Sequence, residues 1–168
     1  MNAFKILVTG AVGSGKTTFV RTASDIDPVT TEAGSQETPG KTQTTVALDY
    51  GRLRLDDHML HLFGTPGQER FNYMWETLSE GVDGMVALVH AGQDDAAART
   101  DHLINTIGRV HAIPPFVVGL THTDGPGANP SHATDAAFAD AAADVMPFDA
   151  RQTEKTHAVL RRLLSELA

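Results

Sequence analysis

The chain alternates between short apolar runs, which predict buried strands, and longer stretches with apolar residues three or four positions apart, which predict helices. The predicted strands are Phe4–Thr9, Val46–Leu55, His58–Phe63, Gly84–His90, Pro115–Leu120 and Val145–Phe148. The predicted helices are Lys16–Ala23, Glu69–Glu80, Ala96–Val110, Ser131–Ala143 and Thr153–Leu167. This alternation predicts an α/β fold in one domain over residues 1–168, with a mostly parallel six-stranded sheet, one antiparallel strand and helices on both faces.

Two connections in this pattern carry further information. The strands Val46–Leu55 and His58–Phe63 are separated by only two residues, Asp56 and Asp57, which predicts a hairpin. Residues 27–44 are polar, rich in threonine and contain two prolines and two glycines, so we expect a long loop there. Loops of that length in compact domains are usually functional.

Composition narrows the classes of protein to consider. Apolar residues make up 41% of the 168 residues, which indicates a globular chain, and no apolar run approaches the length that spans a bilayer. The chain has no cysteine, so disulfides, thiol catalysis and cysteine lipidation are excluded. The first residues lack a leader pattern, and we expect a cytoplasmic protein without a direct membrane anchor.

Charge and histidine placement argue against three kinds of site. The formal net charge of −8 disfavours nucleic-acid binding and docking on anionic lipid. The eight histidines are scattered, and the closest pair in the predicted strands, His58 and His61, falls on opposite faces of its strand. We therefore interpret them as surface imidazoles rather than as a metal site.

Residues 10–17, Gly-Ala-Val-Gly-Ser-Gly-Lys-Thr, match the pattern G-x-x-x-x-G-K-[ST] between a predicted strand and a predicted helix. Glycines let backbone N–H groups approach phosphate oxygens, and the helix that follows presents its positive end to the same anion. The lysine can reach the terminal phosphates, and the threonine hydroxyl is a suitable Mg²⁺ ligand. The alternative is a glycine-rich turn without a ligand. The residues predicted to bind nucleotide here are Gly10, Gly13, Ser14, Gly15, Lys16, Thr17 and Thr18.

A second motif points to a family. Residues 62–71, Leu-Phe-Gly-Thr-Pro-Gly-Gln-Glu-Arg-Phe, resemble the third signature of Ras-like small GTPases, Asp-x-x-Gly-Gln-Glu. Residues 41–51 look much like those of actinobacterial conservon G proteins, and the gliding-motility polarity GTPases are similar. The resemblance implies a three-layer P-loop NTPase G-domain that binds GTP or GDP with Mg²⁺ and hydrolyses GTP. It further implies that Gly67 donates its N–H to the γ-phosphate and that Gln68 is catalytic, orienting the attacking water.

The same resemblance assigns the remaining site residues. Thr45 occupies the place of the magnesium-binding threonine of the first switch, with Thr44 and then Thr42 as alternatives. Where the family has Asn-Lys-x-Asp, this chain has Thr-His-Thr-Asp at 121–124. Asp124 would select guanine by accepting from N1–H and the 2-amine, which adenine lacks, and His122 would cover the base. Asp149, Ala150 and Arg151 occupy the place of the family's Ser-Ala-Lys loop, where the Ala150 N–H would contact the guanine oxygen.

Several positions depart from the family pattern. Gly64 stands where relatives have an aspartate that holds a magnesium-bound water, and Val12 stands where many have glycine. No arginine is clearly placed to stabilise charge in the transition state. These departures predict a slow enzyme stimulated by a partner, which by resemblance is a roadblock-type regulator. Small GTPases of this kind are usually monomers alone.

Three alternatives stay open from the sequence. A non-hydrolysing nucleotide-binding module would fit Gly64 and Val12. A P-loop kinase for a small metabolite would need an arginine-bearing lid, and the loop Thr121–Pro130 has neither arginine nor lysine. Adenine rather than guanine could be the preferred base, because the asparagine and lysine of the base-recognition motif are missing.

Overall fold

The computed structural model describes residues 1–34, 45–66, 73–131 and 138–168. In these ranges the strands are β1 (Asn2–Gly10), β2 (Val29–Gly34), β3 (Thr45–Leu55), β4 (His58–Gly64), β5 (Gly84–His90), β6 (Phe116–Thr121) and β7 (Asp144–Pro147). The helices are α1 (Lys16–Ala23), α2 (Tyr73–Ser79), α3 (Ala96–Val110) and α4 (Thr153–Leu167).

One sheet contains all seven described strands, in the order β2-β3-β4-β1-β5-β6-β7. Only β3 runs against the others, because it pairs antiparallel with both β2 and β4 while the remaining pairs are parallel. The predicted α/β class with one antiparallel strand is confirmed. Because β1, β4, β5, β6 and β7 are parallel, the loops that follow them meet at one edge of the sheet.

The described sheet has one strand more than the six predicted. The additional strand is β2, which lies inside the segment expected to be a loop and pairs with β3 from Val29 opposite Tyr50 to Gly34 opposite Thr45. Its threonines and valine are β-branched residues that suit a strand. The pairing also satisfies backbone groups along the edge of β3, a long-range benefit that local polarity does not reveal.

The hairpin between β3 and β4 is confirmed. Leu55 pairs with His58, so Asp56 and Asp57 form a two-residue turn, and Asp56 has a left-handed φ of 54°. Such turns need positive φ, which aspartate tolerates better than most residues. The guanidinium of Arg161 on α4 lies 3.1 Å from the Asp56 carboxylate and anchors the turn to that helix.

Helices cover both faces of the sheet. Alternate residues of β1 point to opposite sides: Ile6 and Val8 pack in a core with α1 and α4, whereas Leu7 packs in a second core with α3. On α4, Val159, Leu160, Leu163 and Leu164 recur at helical spacing and are buried. This double coverage explains why the central strands are almost entirely apolar.

The predicted helix Ser131–Ala143 lies largely outside the described residues, since 132–137 are not among them. Residues 138–143 form turns and a bend, and the Ala143 N–H donates to the Phe116 carbonyl at 2.8 Å as the chain enters β7. Within the described ranges, no helix combines the length and apolar character needed to cross a membrane.

Candidate nucleotide site

The phosphate loop, residues 10–17, connects the end of β1 to the start of α1 as predicted. Gly13 and Gly15 have φ values of 81° and 103°, a left-handed backbone that glycine adopts without strain. A Cβ atom on Gly10 would lie 2.5 Å from the Leu88 carbonyl oxygen, so only glycine fits this close approach. The backbone of the turn therefore requires glycine at these positions of the motif.

Lys16 lies under this loop. Its Nζ donates to the carbonyls of Gly10 at 2.6 Å and Ala11 at 2.8 Å. Burial lowers the pKa of Lys16 to about 8, although the nearby Asp49 carboxylate raises it. The Lys16 ammonium is partly buried, and its hydrogen-bond partners are two neutral carbonyls, so an anion in the loop would stabilise the charge beyond what the nearby Asp49 provides.

Thr17 contacts an acidic residue that the sequence reasoning did not identify. The Thr17 hydroxyl donates to the Asp49 carboxylate at 2.7 Å. Asp49 lies on β3 directly opposite Gly64 of β4. A Cβ atom on Gly64 would lie 3.3 Å from the Cβ of Asp49, so the Asp49 side chain occupies the space where a side chain at position 64 would begin.

Asp49 could have been found by counting outward from the hairpin turn. Leu55 opposite His58 fixes the register, and the same count puts Asp49 opposite Gly64. The signal is therefore present in the sequence, but only once the missing aspartate at Gly64 is examined together with the neighbouring strand.

Thr121 connects the phosphate loop to the loop after β6. Its hydroxyl donates to the Ser14 carbonyl at 2.7 Å, and its methyl carbon lies 3.8 Å from where a Gly15 Cβ would be. Thr121 itself is buried. The departure from asparagine at this position thus retains a direct link between the two loops.

His122 follows with a φ of 57°, which is uncommon for a residue with a side chain. Its ring stacks on His90 with the centroids 3.8 Å apart and the planes 5° from parallel. Partial burial lowers the pKa of His122, His90 and Arg151 lower it further, and Asp149 raises it. His122 is therefore favoured as a neutral imidazole near pH 7.

The loop after β7 contains a fixed ion pair. Arg151 donates to both carboxylate oxygens of Asp149, from Nε at 2.9 Å and from a terminal nitrogen at 2.8 Å. The Arg151 side-chain and backbone hydrogen bonds lower the pKa of Asp149 to about 2. Ala150 between them is buried, with its Cβ 3.9 Å from where a Gly15 Cβ would be.

These loops surround a cleft of about 630 Å³ at the edge of the sheet where the loops after the parallel strands meet. Of the predicted nucleotide-binding residues, those lining the cleft are Gly13, Gly15, Lys16, Thr17, Thr18, His122, Asp124, Ala150 and Arg151. Gly10 and Ser14 lie behind the lining, where Gly10 accepts from Lys16 and Ser14 accepts from Thr121. Residues far apart in sequence are thereby brought around one cavity of the size that holds a small molecule.

Three predicted residues are not placed in the cleft. Gly67 and Gln68 lie outside the described residues. Thr45 begins β3, where it pairs with Gly34, four residues before Asp49. Four residues of extended strand span about 13 Å, so the described backbone does not bring Thr45 beside Thr17. Among described residues, no group of three or more histidine or acidic side chains is placed to hold a metal ion.

Comparison with known proteins gives a family and distant relatives. The model of a family described as conserved hypothetical ATP binding protein matches residues 27–168. An uncharacterised protein of Methanocaldococcus jannaschii is 35% identical over 89 residues, which are 53% of this chain and 52% of that protein. Translation initiation factor IF-2 of Lactobacillus helveticus is 31% identical over 130 residues, 77% of this chain and 14% of that factor. The chain thus spans about half or less of the length of these relatives.

The residues that the family model matches begin after the phosphate loop, so this family match does not cover the loop, which is supported by its own motif and geometry. The rest of the cleft, including Asp124 and Arg151, lies inside the matched range, and so does Asp49, which accepts a hydrogen bond from the cleft residue Thr17. Together they support a P-loop nucleotide-binding domain.

Proposed function

The chain belongs to the family of conserved hypothetical ATP-binding proteins, and from that premise we propose that it is a guanine-nucleotide switch that binds GTP and GDP with Mg²⁺ and hydrolyses GTP slowly. The observation that carries the proposal is the convergence of Lys16, the Thr17–Asp49 pair and Asp124 on one cleft. Lys16 would contact the phosphates, the Thr17–Asp49 pair would hold the metal ion, and Asp124 would bind the base.

The phosphate end of the cleft is supported by charge and backbone geometry. The partly buried ammonium of Lys16 supplies a cation, and the glycines of the loop let backbone N–H groups approach phosphate oxygens. On nucleotide binding, the phosphates would replace the Gly10 and Ala11 carbonyls as partners of Nζ. The net charge of −8 is no obstacle, because this attraction is local.

The donor set at Thr17 fits Mg²⁺, a hard cation that prefers oxygen ligands and keeps several waters. Because the Thr17 hydroxyl donates its proton to Asp49, its lone pairs face away from the carboxylate and are free to ligate. Asp49 would hold a metal-bound water, the role that Gly64 cannot perform. Mg²⁺ would neutralise charge on the β- and γ-phosphates. Thr45 would join only if β3 changed its register or its start.

Hydrolysis is proposed from the motif at 62–71, with Gln68 orienting water and Gly67 contacting the γ-phosphate. Within the described cleft, Arg151 is the arginine present, and it is held by Asp149 near the base end. This arrangement supports a low intrinsic rate and an arginine supplied by a partner, for which a roadblock-type regulator is our candidate. The isolated chain is proposed to be a monomer.

Adenine is the competing base, because the matching family is described as ATP binding. Guanine is favoured by Asp124, whose carboxylate lines the cleft and can accept from N1–H and the 2-amine together. Mass spectrometry of the nucleotide released from purified protein reports base and phosphate number at once. Adenine nucleotide alone would overturn the guanine assignment.

A substitution at Asp124 makes the base test sharper. Asparagine offers one acceptor and one donor, which match N1–H and the 2-oxygen of xanthine. We expect Asp124→Asn to weaken GDP binding at least tenfold, on the order of one charge-assisted hydrogen bond, and to strengthen XDP binding. Asp140→Asn, on an exposed residue outside the cleft, is the control.

A nucleotide-binding module without hydrolysis is the second candidate. Val12 favours it, because its side chain is 52% exposed on the phosphate loop where Gln68 would approach. Single-turnover assays with radiolabelled GTP, with and without a roadblock-type protein, distinguish a GTP-hydrolysing switch from a module that only binds nucleotide. Cleavage that Gln68→Ala abolishes supports the switch, and the absence of cleavage in both assays leaves the module.

A further inference from the structure

His90 is a residue that neither the phosphate nor the base motif includes. It ends β5 and pairs in register with Thr121 at the end of β6. Its ring therefore lies next to His122, the residue after Thr121, although 32 positions separate the two histidines in sequence. The centroid distance of 3.8 Å and the angle of 5° describe a close face-to-face stack.

Hydrogen bonds fix both rings in complementary tautomers. The Gly92 N–H donates to Nδ1 of His90 at 3.0 Å, so the proton of a neutral His90 is on Nε2. The Thr121 hydroxyl gives its proton to Ser14, so it accepts from Nδ1–H of His122 at 3.1 Å. Each ring is held in plane by a backbone-anchored partner, and neither can turn without losing that bond.

The two rings have different exposure to the cleft. His122 lines it, whereas His90 is not among the lining residues. One face of His122 is covered by His90, and this leaves the other face for a ligand. Planar aromatic groups stack on one another, and a purine is such a group. The His122 backbone has a left-handed φ, which is uncommon for a residue with a side chain, so the direction in which its ring leaves the backbone is also unusual.

We propose that His90 is a positioning residue for base recognition, holding the His122 imidazole parallel to the bound purine so that base, His122 and His90 form a three-ring stack. The inference rests on the proposed function, since it requires a nucleotide in this cleft. It assigns His90 a role in the affinity for the base and none in the affinity for the phosphates.

The test compares a ligand that has a base with one that has none. Binding of GDP, ADP and inorganic tripolyphosphate is measured by calorimetry, with Mg²⁺, for the full chain and its variants. We expect His90→Ala to raise the Kd for the nucleotide that the wild type prefers by about three- to tenfold, the range of an aromatic stack, and to leave the tripolyphosphate Kd unchanged. His90→Phe, which restores a stacking ring, should return the nucleotide Kd to within about twofold. His102→Ala, on the exposed side of α3, is the matched control.

A second readout follows the ring itself. NMR titration of His122 in the empty protein reports its pKa, which is lowered most by partial burial and depends further on His90, Arg151 and Asp149. Replacing His90 by alanine removes both a ring that covers His122 and a charge that lowers this pKa, so the pKa of His122 should rise in that variant. An effect on folding alone would alter tripolyphosphate binding too and would not be rescued by phenylalanine.

Equal nucleotide-to-tripolyphosphate ratios in wild type and His90→Ala, or loss that His90→Phe does not restore, would overturn the role of His90 while leaving the proposed function intact. A wild-type protein that binds tripolyphosphate but neither nucleotide would overturn both. The experiment thereby distinguishes a cleft that binds only phosphates from a cleft that binds nucleotides without the help of His90.

Discussion

Lys16 shows how one partly buried charge connects folding to ligand binding. Its ammonium is the cation of the phosphate loop, but burial lowers its pKa from 10.5 to about 8. The empty fold therefore disfavours the charged form, and this cost is relieved as pH rises from 8 towards 10.5. A bound polyphosphate has the opposite preference, because it stabilises the ammonium.

We therefore expect nucleotide affinity to depend on alkaline pH. Below pH 8 the Lys16 ammonium is present and the affinity should be level. Above pH 8 the affinity should fall by up to about tenfold per pH unit, because binding then requires proton uptake. Calorimetric titration from pH 6.5 to 9.5 measures this, with Lys155→Ala as the control for an exposed lysine. A level affinity across the whole range would contradict the assignment.

Asp49 and Gly64 permit an exchange experiment. Because the two positions pair across β3 and β4, a carboxylate removed from one can be supplied from the other. Asp49→Ala should raise the Mg²⁺ concentration needed for half-maximal nucleotide retention by roughly 10- to 100-fold. Adding Gly64→Asp to that variant should recover part of the loss, as measured by nucleotide release at graded Mg²⁺.

Gly64→Asp alone serves as the counter-test. Its new Cβ would lie 3.3 Å from the Cβ of Asp49, and two carboxylates would share one space. This single variant should therefore bind nucleotide less well than the double variant. If the double variant retained nucleotide no better than Asp49→Ala, Asp49 would not perform the proposed role.

At the scale of elements, the sequence predicted the helices and the hairpin, whose formation depends on residues that are close together in the chain. The helices Lys16–Ala23, Ala96–Val110 and Thr153–Leu167 were predicted with the bounds observed, because each has an apolar side at helical spacing between clear ends. The hairpin was correct because its turn needs only two residues. Of the site, the phosphate loop and the Asp124 and Ala150 positions could be placed because each follows a predicted strand.

What the sequence did not reveal depends on pairing between distant segments. Strand β2 exists by pairing with β3, and its polar composition alone suggests a loop. Asp49 acts beside Thr17 only through the sheet register, and His90 meets His122 only because β5 and β6 are neighbours. Such contacts follow from tertiary arrangement rather than from any local motif.

The close packing of β3 on α1 gives a prediction at this scale. A Cβ atom on Gly51 would lie 2.9 Å from a methyl of Val20 and 3.0 Å from the Cβ of Ser24. Gly51→Ala should lower the free energy of unfolding by about 1–3 kcal/mol, the usual cost of overpacking. Urea denaturation measures the change, and Arg52→Ala, at an exposed neighbouring position, should stay within about 0.5 kcal/mol of wild type. Equal stability of both variants would show that α1 moves away without cost.

At the scale of the whole molecule, the cleft is built from loops at one edge of the sheet and not from a single element. The phosphate loop lies between β1 and α1, and the other lining residues lie in the loops that follow β6 and β7. Asp49 on β3 contacts this cleft through Thr17. Thr121 ties two of these loops together through Ser14. A ligand that contacts all of them connects strands from both halves of the sheet, so binding should stabilise the fold as a unit.

This linkage predicts a graded stabilisation of the intact chain. At a free GDP concentration 100 times its Kd, with Mg²⁺, the free energy of unfolding should rise by about 2.7 kcal/mol, because the ligand binds the folded state alone. ADP at the same concentration should stabilise less, since Asp124 could not pair with adenine in the way we propose for guanine. Lys16→Ala should lose most of both effects, whereas Lys155→Ala should lose neither. Urea denaturation at fixed ligand concentration makes the comparison, and equal stabilisation by ADP and GDP would mean that the cleft recognises polyphosphate but does not distinguish the base.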